Sequence, residues 1–117
     1  MKKTNPQLIT LIQQLRQMSE EQKVDIWKDI AKRLEKPSKN YPQVNLDKIQ
    51  KHLLDNETAL IPGKVLGDGE IKKMDIAAWK FSETAKNKIK QAGGHYYTIQ
   101  ELLRKNPKGK NLRIIGG

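Results

Sequence analysis

The sequence predicts a small α/β domain in which N-terminal helices precede an irregular array of short strands and helices. Apolar stripes of helical period occupy the first part of the chain. From Thr58 onward, short β-leaning runs alternate with capped helical segments, and this rhythm indicates a small sheet. The 117 residues suit a single domain with a modest core. We expect residues 1–54 to be mainly helical, with an extended basic linker at 36–43, and residues 55–117 to form the α/β part.

Two helices are predicted first. Asn5 before Pro6 is typical of a helix N-cap followed by the first helical residue. Ser19 with Gln22 resembles a capping box that opens a second helix. We expect the two helices to pack as a hairpin through their apolar stripes, which are Leu8, Leu11, Ile12 and Leu15 in the first and Val24, Trp27, Ile30, Ala31 and Leu34 in the second.

The linker at 36–43 contains Pro37 and Pro42, which oppose helix formation. It is either a solvated connection or a basic strip lying extended on nucleic acid, with Tyr41 available to stack on a base or ribose. Asn45 is then predicted to cap a short helix whose inward residues are Leu46, Ile49 and Leu53.

Short strands are predicted at Thr58–Ile61, Lys64–Leu66 and Asp75–Trp79. The turn Pro62-Gly63 separates the first two strands, and Gly67-Asp68-Gly69 follows the second. Glycine in these turns would let the main chain approach a phosphate or another strand closely, with Lys64 supplying charge. The turn is not a P-loop, because the GxxxxGK[ST] spacing is absent.

The last part of the chain repeats a strand and helix pattern. Ser82 is predicted to cap a helix that runs to about Ala92 and ends at Gly93-Gly94. Thr98 with Glu101 forms the capping box of a second helix. The remaining predictions are a helix end at Asn106-Pro107 and strands at His95–Tyr97 and Leu112–Ile115.

The charge of the chain indicates a polyanionic partner. It has 23 Lys+Arg against 13 Asp+Glu, a net charge of +10. Most of the excess lies in residues 80–117, which contain 9 basic and 2 acidic residues. Lysine outnumbers arginine 19 to 4, which favours point contacts with phosphates over bidentate reading of bases.

One helix shows a like-charge pair. Lys86 and Lys90 lie four residues apart and share a helix face, where they repel each other. A phosphate backbone beside that face would relieve the repulsion. The alternative is a solvated lysine surface.

Residue types needed for catalysis are sparse. The chain has no cysteine, which excludes disulfides, zinc knuckles and thiol chemistry. Asp68, Glu70 and Asp75 lie among lysines without a second carboxylate cluster for a two-metal site, and His52 and His95 are lone histidines. No apolar run approaches the roughly 18 residues of a membrane span. We therefore expect no enzyme activity, metal, cofactor, small-molecule substrate or membrane partner, and a cytoplasmic protein.

Several ordered segments together carry a family resemblance. They include the runs 27–37, 44–49, 62–69, 106–109 and 113–116. Over nearly its whole length the chain resembles the archaeal large-subunit ribosomal protein eighteen-e family, a relative of bacterial large-subunit protein fifteen. Trp79 stands where an aliphatic residue is usual in that family.

The resemblance implies a structural constituent of the large ribosomal subunit that binds large-subunit rRNA as a monomer beside neighbouring ribosomal proteins. The alternatives are a DNA-binding or chromatin-compacting basic protein and an RNA-processing enzyme. The helix predicted after Ser82 contains lysines but no arginine, which argues against a helix that reads DNA bases. The residues predicted to bind RNA are Lys32, Arg33, Lys36, Lys39, Asn40, Tyr41, Lys64, Lys86, Lys90, Lys108, Lys110 and Arg113.

Overall fold

The computed structural model describes residues 5–116 and has an α/β fold, which confirms the predicted class. The helices are α1 (Pro6–Gln22), α2 (Ile26–Glu35), α3 (Leu46–His52), α4 (Glu83–Gln91) and α5 (Ile99–Lys105). A single 3₁₀ turn covers Ser38–Asn40. The strands are β1 (Gln43–Asn45), β2 (Thr58–Leu66), β3 (Asp75–Phe81), β4 (His95–Thr98) and β5 (Leu112–Ile114).

The five strands form one parallel sheet around β2. On one side β2 pairs with β3, and β4 follows β3 at the outer edge. On its other side β2 has two partners in succession. β5 pairs with Thr58–Leu60 and β1 pairs with Lys64–Leu66.

Helices cover both faces of the sheet, as a parallel sheet requires. Leu60 and Ala77 point to the face on which α1, α2 and α5 pack. Ala59, Ile61 and Ile76 point to the opposite face, with α3 and α4. The two predicted parts of the chain therefore share one sheet, with apolar clusters on its two sides.

Local capping signals placed three helices correctly. The Asn5 side chain accepts hydrogen bonds from two backbone N–H groups of the first turn of α1. The Ser82 hydroxyl accepts from the first turn of α4, and Thr98 with Glu101 completes the capping box of α5. Gly93 ends α4 with a φ of +85°. These predictions are confirmed because each depends only on residues close in sequence.

The predicted capping box at Ser19 is wrong. Ser19 lies inside α1, which continues to Gln22, and its Oγ donates to the Val24 carbonyl at 2.7 Å. The helix ends instead because Lys23 adopts a left-handed conformation with a φ of +54°. Ser19 therefore secures the end of the first helix, and α2 begins only at Ile26.

The predicted break at Pro62-Gly63 is also wrong, because β2 is one nine-residue strand. Its register with β3 shifts between Ile61 and Lys64, so the proline lies at an irregularity where its missing N–H is tolerated. The same stretch is where the neighbour of β2 changes from β5 to β1.

The linker is not extended throughout, because the 3₁₀ turn interrupts it and its last residue, Gln43, begins β1. Strand β1 was not predicted. It has three residues, too few to show a strand pattern.

Candidate nucleic-acid interface

A groove of about 550 Å³ lies between α2, the 3₁₀ turn and the middle of β2. We call it the α2 groove. Five of the residues predicted to bind RNA line it together with Asp29, Pro42 and Pro62, namely Lys32, Arg33, Lys36, Asn40 and Tyr41. The fold thus brings a large part of the predicted set to one place.

The burial of α2 explains which side chains reach the groove. Trp27, Ile30, Ala31 and Leu34 are fully buried against α1 and the sheet. Lys32 and Lys36 are exposed, Lys32 near the end of α2 and Lys36 immediately beyond it, and both line the groove. Lys39 is exposed in the adjoining 3₁₀ turn.

Arg33 is held in place by two contacts. Its Nε lies 2.9 Å from Asp29 Oδ1, and its Nη1 donates to the Gly116 carbonyl at 3.3 Å. These two contacts fix the guanidinium at the wall of the groove, and the Asp29 carboxylate offsets part of its charge. The exposed lysines therefore contribute most of the positive potential there.

Tyr41 forms an inner wall of the groove. Its hydroxyl donates to the Leu34 carbonyl, and its half-buried ring packs against the core that contains α1 and α2. Burial raises the pKa of Tyr41, so the phenol stays protonated near neutral pH. The hydroxyl is therefore engaged within the protein, and the ring forms part of the wall of the groove.

Lys64 does not line the groove but follows the lining residue Pro62 by two positions on β2. Its N–H donates to the Pro42 carbonyl at 3.0 Å, and its side chain is exposed. Gly63 permits this approach, because a Cβ there would lie 2.1 Å from the Pro42 oxygen. The sequence left open whether the glycine faces a phosphate or a strand, and in the structure it faces the segment that leads into β1.

Lys86 and Lys90 lie elsewhere. Their helix, α4, packs its buried residues Ala85 and Ile89 on the sheet face opposite α2. Lys86 Nζ lies 3.5 Å from Glu83, and the Lys90 ammonium lies 5.6 Å from the centre of the Tyr96 ring. Both lysines therefore belong to a surface separate from the α2 groove.

The loop after α5 forms a third basic region, near the amino end of α2. The buried Trp27 donates from Nε1 to the Pro107 carbonyl at 2.7 Å, which anchors this loop. Lys108 and Lys110 on either side of Gly109 are exposed. The ten residues of α2 rise about 15 Å, so the loop and the α2 groove lie near opposite ends of that helix.

Arg113 differs from its basic neighbours because it is paired. Its Nε donates to Glu57 Oε1 at 2.7 Å, and the Glu57 side chain is 13% exposed. This hydrogen bond lowers the pKa of Glu57 and raises the pKa of Arg113. A phosphate would have to compete with Glu57 for this guanidinium.

Lys80 was not among the predicted site residues. Its Cα is paired with that of Lys64 across β2 and β3, and its side chain is exposed. The pairing depends on the register shift in β2, which the sequence does not reveal.

Two further features of the described residues bear on catalysis and membranes. Among residues 5–116, no three His, Cys, Asp or Glu side chains come together closely enough to hold a metal ion. None of the described helices combines the length and apolar character that crossing a bilayer requires.

A basic α/β fold whose groove collects lysines defines a class of protein suited to a polyanionic partner. Residues 1–117 match the family described as ribosomal protein 60S L18 and 50S L18e. The chain is 46% identical over 114 residues to large ribosomal subunit protein eL18 of Methanothermobacter thermautotrophicus, covering 97% of this chain and 94% of the relative. The eL18 protein of Methanoregula boonei is 48% identical over 114 residues, which cover 97% of this chain and 94% of that protein. The eL18 protein of Archaeoglobus fulgidus is 46% identical over 116 residues, which cover 98% of this chain and 99% of that protein. The chain therefore belongs to the L18 and L18e family of ribosomal proteins.

Proposed function

We propose that this protein is a structural constituent of the large subunit of the cytoplasmic ribosome, where it binds large-subunit rRNA and contacts neighbouring ribosomal proteins. Membership of the family supports the place in the ribosome. The observation that supports RNA as the ligand is the α2 groove, which Lys32, Arg33 and Lys36 line together, with the exposed Lys64 two residues beyond the lining residue Pro62.

The protein acts by binding rather than by catalysis, as one domain spanning residues 1–117 and as a monomer. A rigid sheet with helices on both faces holds the lysines at fixed positions, so little order is lost when phosphates bind. Each neutralised phosphate releases counterions. The logarithm of the binding constant should then fall with the logarithm of salt concentration by about 0.7–0.9 per phosphate contact. The net charge of +10 also repels itself in the free protein, and bound RNA relieves that repulsion.

The test compares binding of the purified protein to large-subunit rRNA and to duplex DNA with the same number of phosphates, by filter binding at several salt concentrations. We expect the rRNA to bind more tightly. Equal affinities, or a preference for DNA, would contradict the proposal. Sedimentation of cell extract provides a second measure, since the chain should travel with large subunits.

A matched pair of variants tests the groove. Lys32→Glu and Lys28→Glu reverse the same charge one turn apart on α2, but only Lys32 lines the groove. We expect Lys32→Glu to weaken rRNA binding and to reduce the salt slope by about one, as loss of a phosphate contact does. Lys28→Glu should leave the slope close to that of the wild type. Equal losses from both changes would remove the groove from the interface.

A further inference from the structure

A second groove, of about 480 Å³, lies on the same face of the sheet as α2, beside β3. The first turn of α1, the end of β3 and the start of α5 surround it, and Trp79, Lys80, Thr98 and Gln100 are among its lining residues. We call it the Trp79 groove. None of the described residues that line it is acidic.

The two tryptophans of the chain have different surroundings. Trp27 is fully buried, and its indole N–H is satisfied by a backbone carbonyl. Trp79 is half-buried, and its indole N–H donates no hydrogen bond within residues 5–116. No buried side-chain donor in that part of the chain lacks a partner, so the Trp79 N–H is open to solvent. Trp79 therefore offers part of an aromatic ring and a hydrogen-bond donor at the surface.

A cation lies beside this ring, and a second is paired with it on the neighbouring strand. The Lys80 ammonium lies 5.9 Å from the centre of the Trp79 ring. Lys64 is the register partner of Lys80 on the neighbouring strand, and paired strands lie about 4.8 Å apart. Lys64 also follows Pro62 of the α2 groove by two positions, so two exposed lysines on β2 and β3 lie between the lining residues of the two grooves.

We propose that the Trp79 groove takes an unpaired nucleotide of the bound RNA, whose base stacks on the Trp79 indole while Lys80 and Lys64 hold the adjoining phosphates. This inference rests on the proposed function, since it extends the same RNA from the α2 groove along the face of the sheet that α1, α2 and α5 cover. Unpaired bases in RNA are recognised by stacking on aromatic rings, and lysines beside the ring track the backbone. Lys80 is the one charged residue among the described residues that line the groove, and its charge favours a nucleotide over a basic protein segment, which it would repel.

The experiment measures rRNA affinity, salt slope and tryptophan fluorescence for four proteins, which are the wild type, Trp79→Leu, Trp79→Phe and Lys80→Gln. The probe is large-subunit rRNA, with single-stranded oligouridylate as a second ligand. Loss of one base stack should weaken binding of Trp79→Leu roughly five- to a hundred-fold. Trp79→Phe keeps a ring and should retain most of the affinity.

The two kinds of contact have different salt signatures. Trp79→Leu should leave the salt slope unchanged because no phosphate contact is lost, whereas Lys80→Gln should lower it by about 0.7–0.9. RNA should quench the fluorescence of the wild type, and the quench should disappear in Trp79→Phe, which retains Trp27. Thermal melting checks that each variant is folded. If Trp79→Leu does not fold, the fluorescence data test the inference instead. It then requires that RNA quenches the wild type and does not quench Trp79→Phe.

Three results would overturn the inference. The first is tight rRNA binding by wild type and Trp79→Leu alike without a quench, which would leave the proposed function standing. The second is normal binding of Trp79→Leu to naked rRNA with poor incorporation into large subunits, which would assign the groove to a neighbouring protein. The third is a wild type that does not prefer rRNA, which would defeat the proposed function as well.

Discussion

Replacement of Gly63 by alanine should disturb both the sheet and the α2 groove. The φ of Gly63 is outside the left-handed region, so alanine could adopt its backbone conformation. The obstacle is steric, because the new Cβ would lie 2.1 Å from the Pro42 oxygen and 3.0 Å from two carbons of its ring. Pro42 lines the α2 groove and accepts the hydrogen bond from the N–H of Lys64. Relief of the clash must therefore move β1 away from β2.

The size of the effect follows from three contributions. Overpacking of this kind costs roughly 1–3 kcal/mol. The strained or lost hydrogen bond to Pro42 costs about 1 kcal/mol. Alanine also restricts the unfolded chain more than glycine does, which raises the free energy of unfolding by roughly 0.4–1 kcal/mol. The free energy of unfolding should thus fall by about 2 kcal/mol, which for 117 residues corresponds to a decrease in Tm of about 8 °C.

Thermal unfolding and rRNA binding measure this prediction together. Gly93→Ala is the control, because no atom lies within 4 Å of its new Cβ and only its φ of +85° opposes the change. The left-handed conformation costs alanine roughly 1–2 kcal/mol, and restriction of the unfolded chain offsets part of that cost. Gly93 lies at the end of α4, away from the α2 groove. We expect only Gly63→Ala to weaken rRNA binding. Wild-type stability in Gly63→Ala would refute the steric argument, and a stability loss without any loss of RNA affinity would refute the link to the groove.

Three further changes test other parts of the molecule. Lys108→Glu should weaken rRNA association more than Lys28→Glu in the same filter assay, and equal losses would contradict a contact at the loop. Trp27→Phe removes the hydrogen bond that anchors that loop and leaves a cavity, so urea titration should show a loss of about 2–4 kcal/mol. Glu57 has its pKa lowered by Arg113, so its stabilisation is present above the ordinary pKa of a glutamate and is lost as pH falls through the lowered native value. The Tm of Glu57→Gln should therefore change less on acidification than that of the wild type, and parallel curves would count against this ion pair.

The parts of the fold that were predictable depend on short-range chemistry. Asn5, Ser82 and Thr98 each cap a helix through contacts within the first turn, so their sequence context was sufficient. Ser19 has a similar local pattern, but tertiary packing extends α1 through it. Pro62-Gly63 reads as a turn locally, yet pairing with three other strands keeps β2 continuous.

The candidate site shows the same division. The charge of the chain and the family resemblance were enough to predict that the groove residues bind RNA. Their assembly around Pro62 depends on the way α2 packs against β2, which the sequence does not show. Lys86 and Lys90 carry the same charge and face the other side of the sheet, which no local pattern distinguishes. The place of Lys80 beside Lys64 follows only from the register of β2 and β3.

The two successive partners of β2 have a consequence for the order of folding. Its second half can pair with β1, which is made earlier in synthesis, whereas Thr58–Leu60 must wait for Leu112–Ile114 to emerge. Contacts between such distant segments slow folding, and they leave a strand edge unpaired in the nascent chain. A partly synthesised protein of this design would expose that edge beside a helix pair that has already formed, so rapid capture by its final partner or by a chaperone would protect it from aggregation.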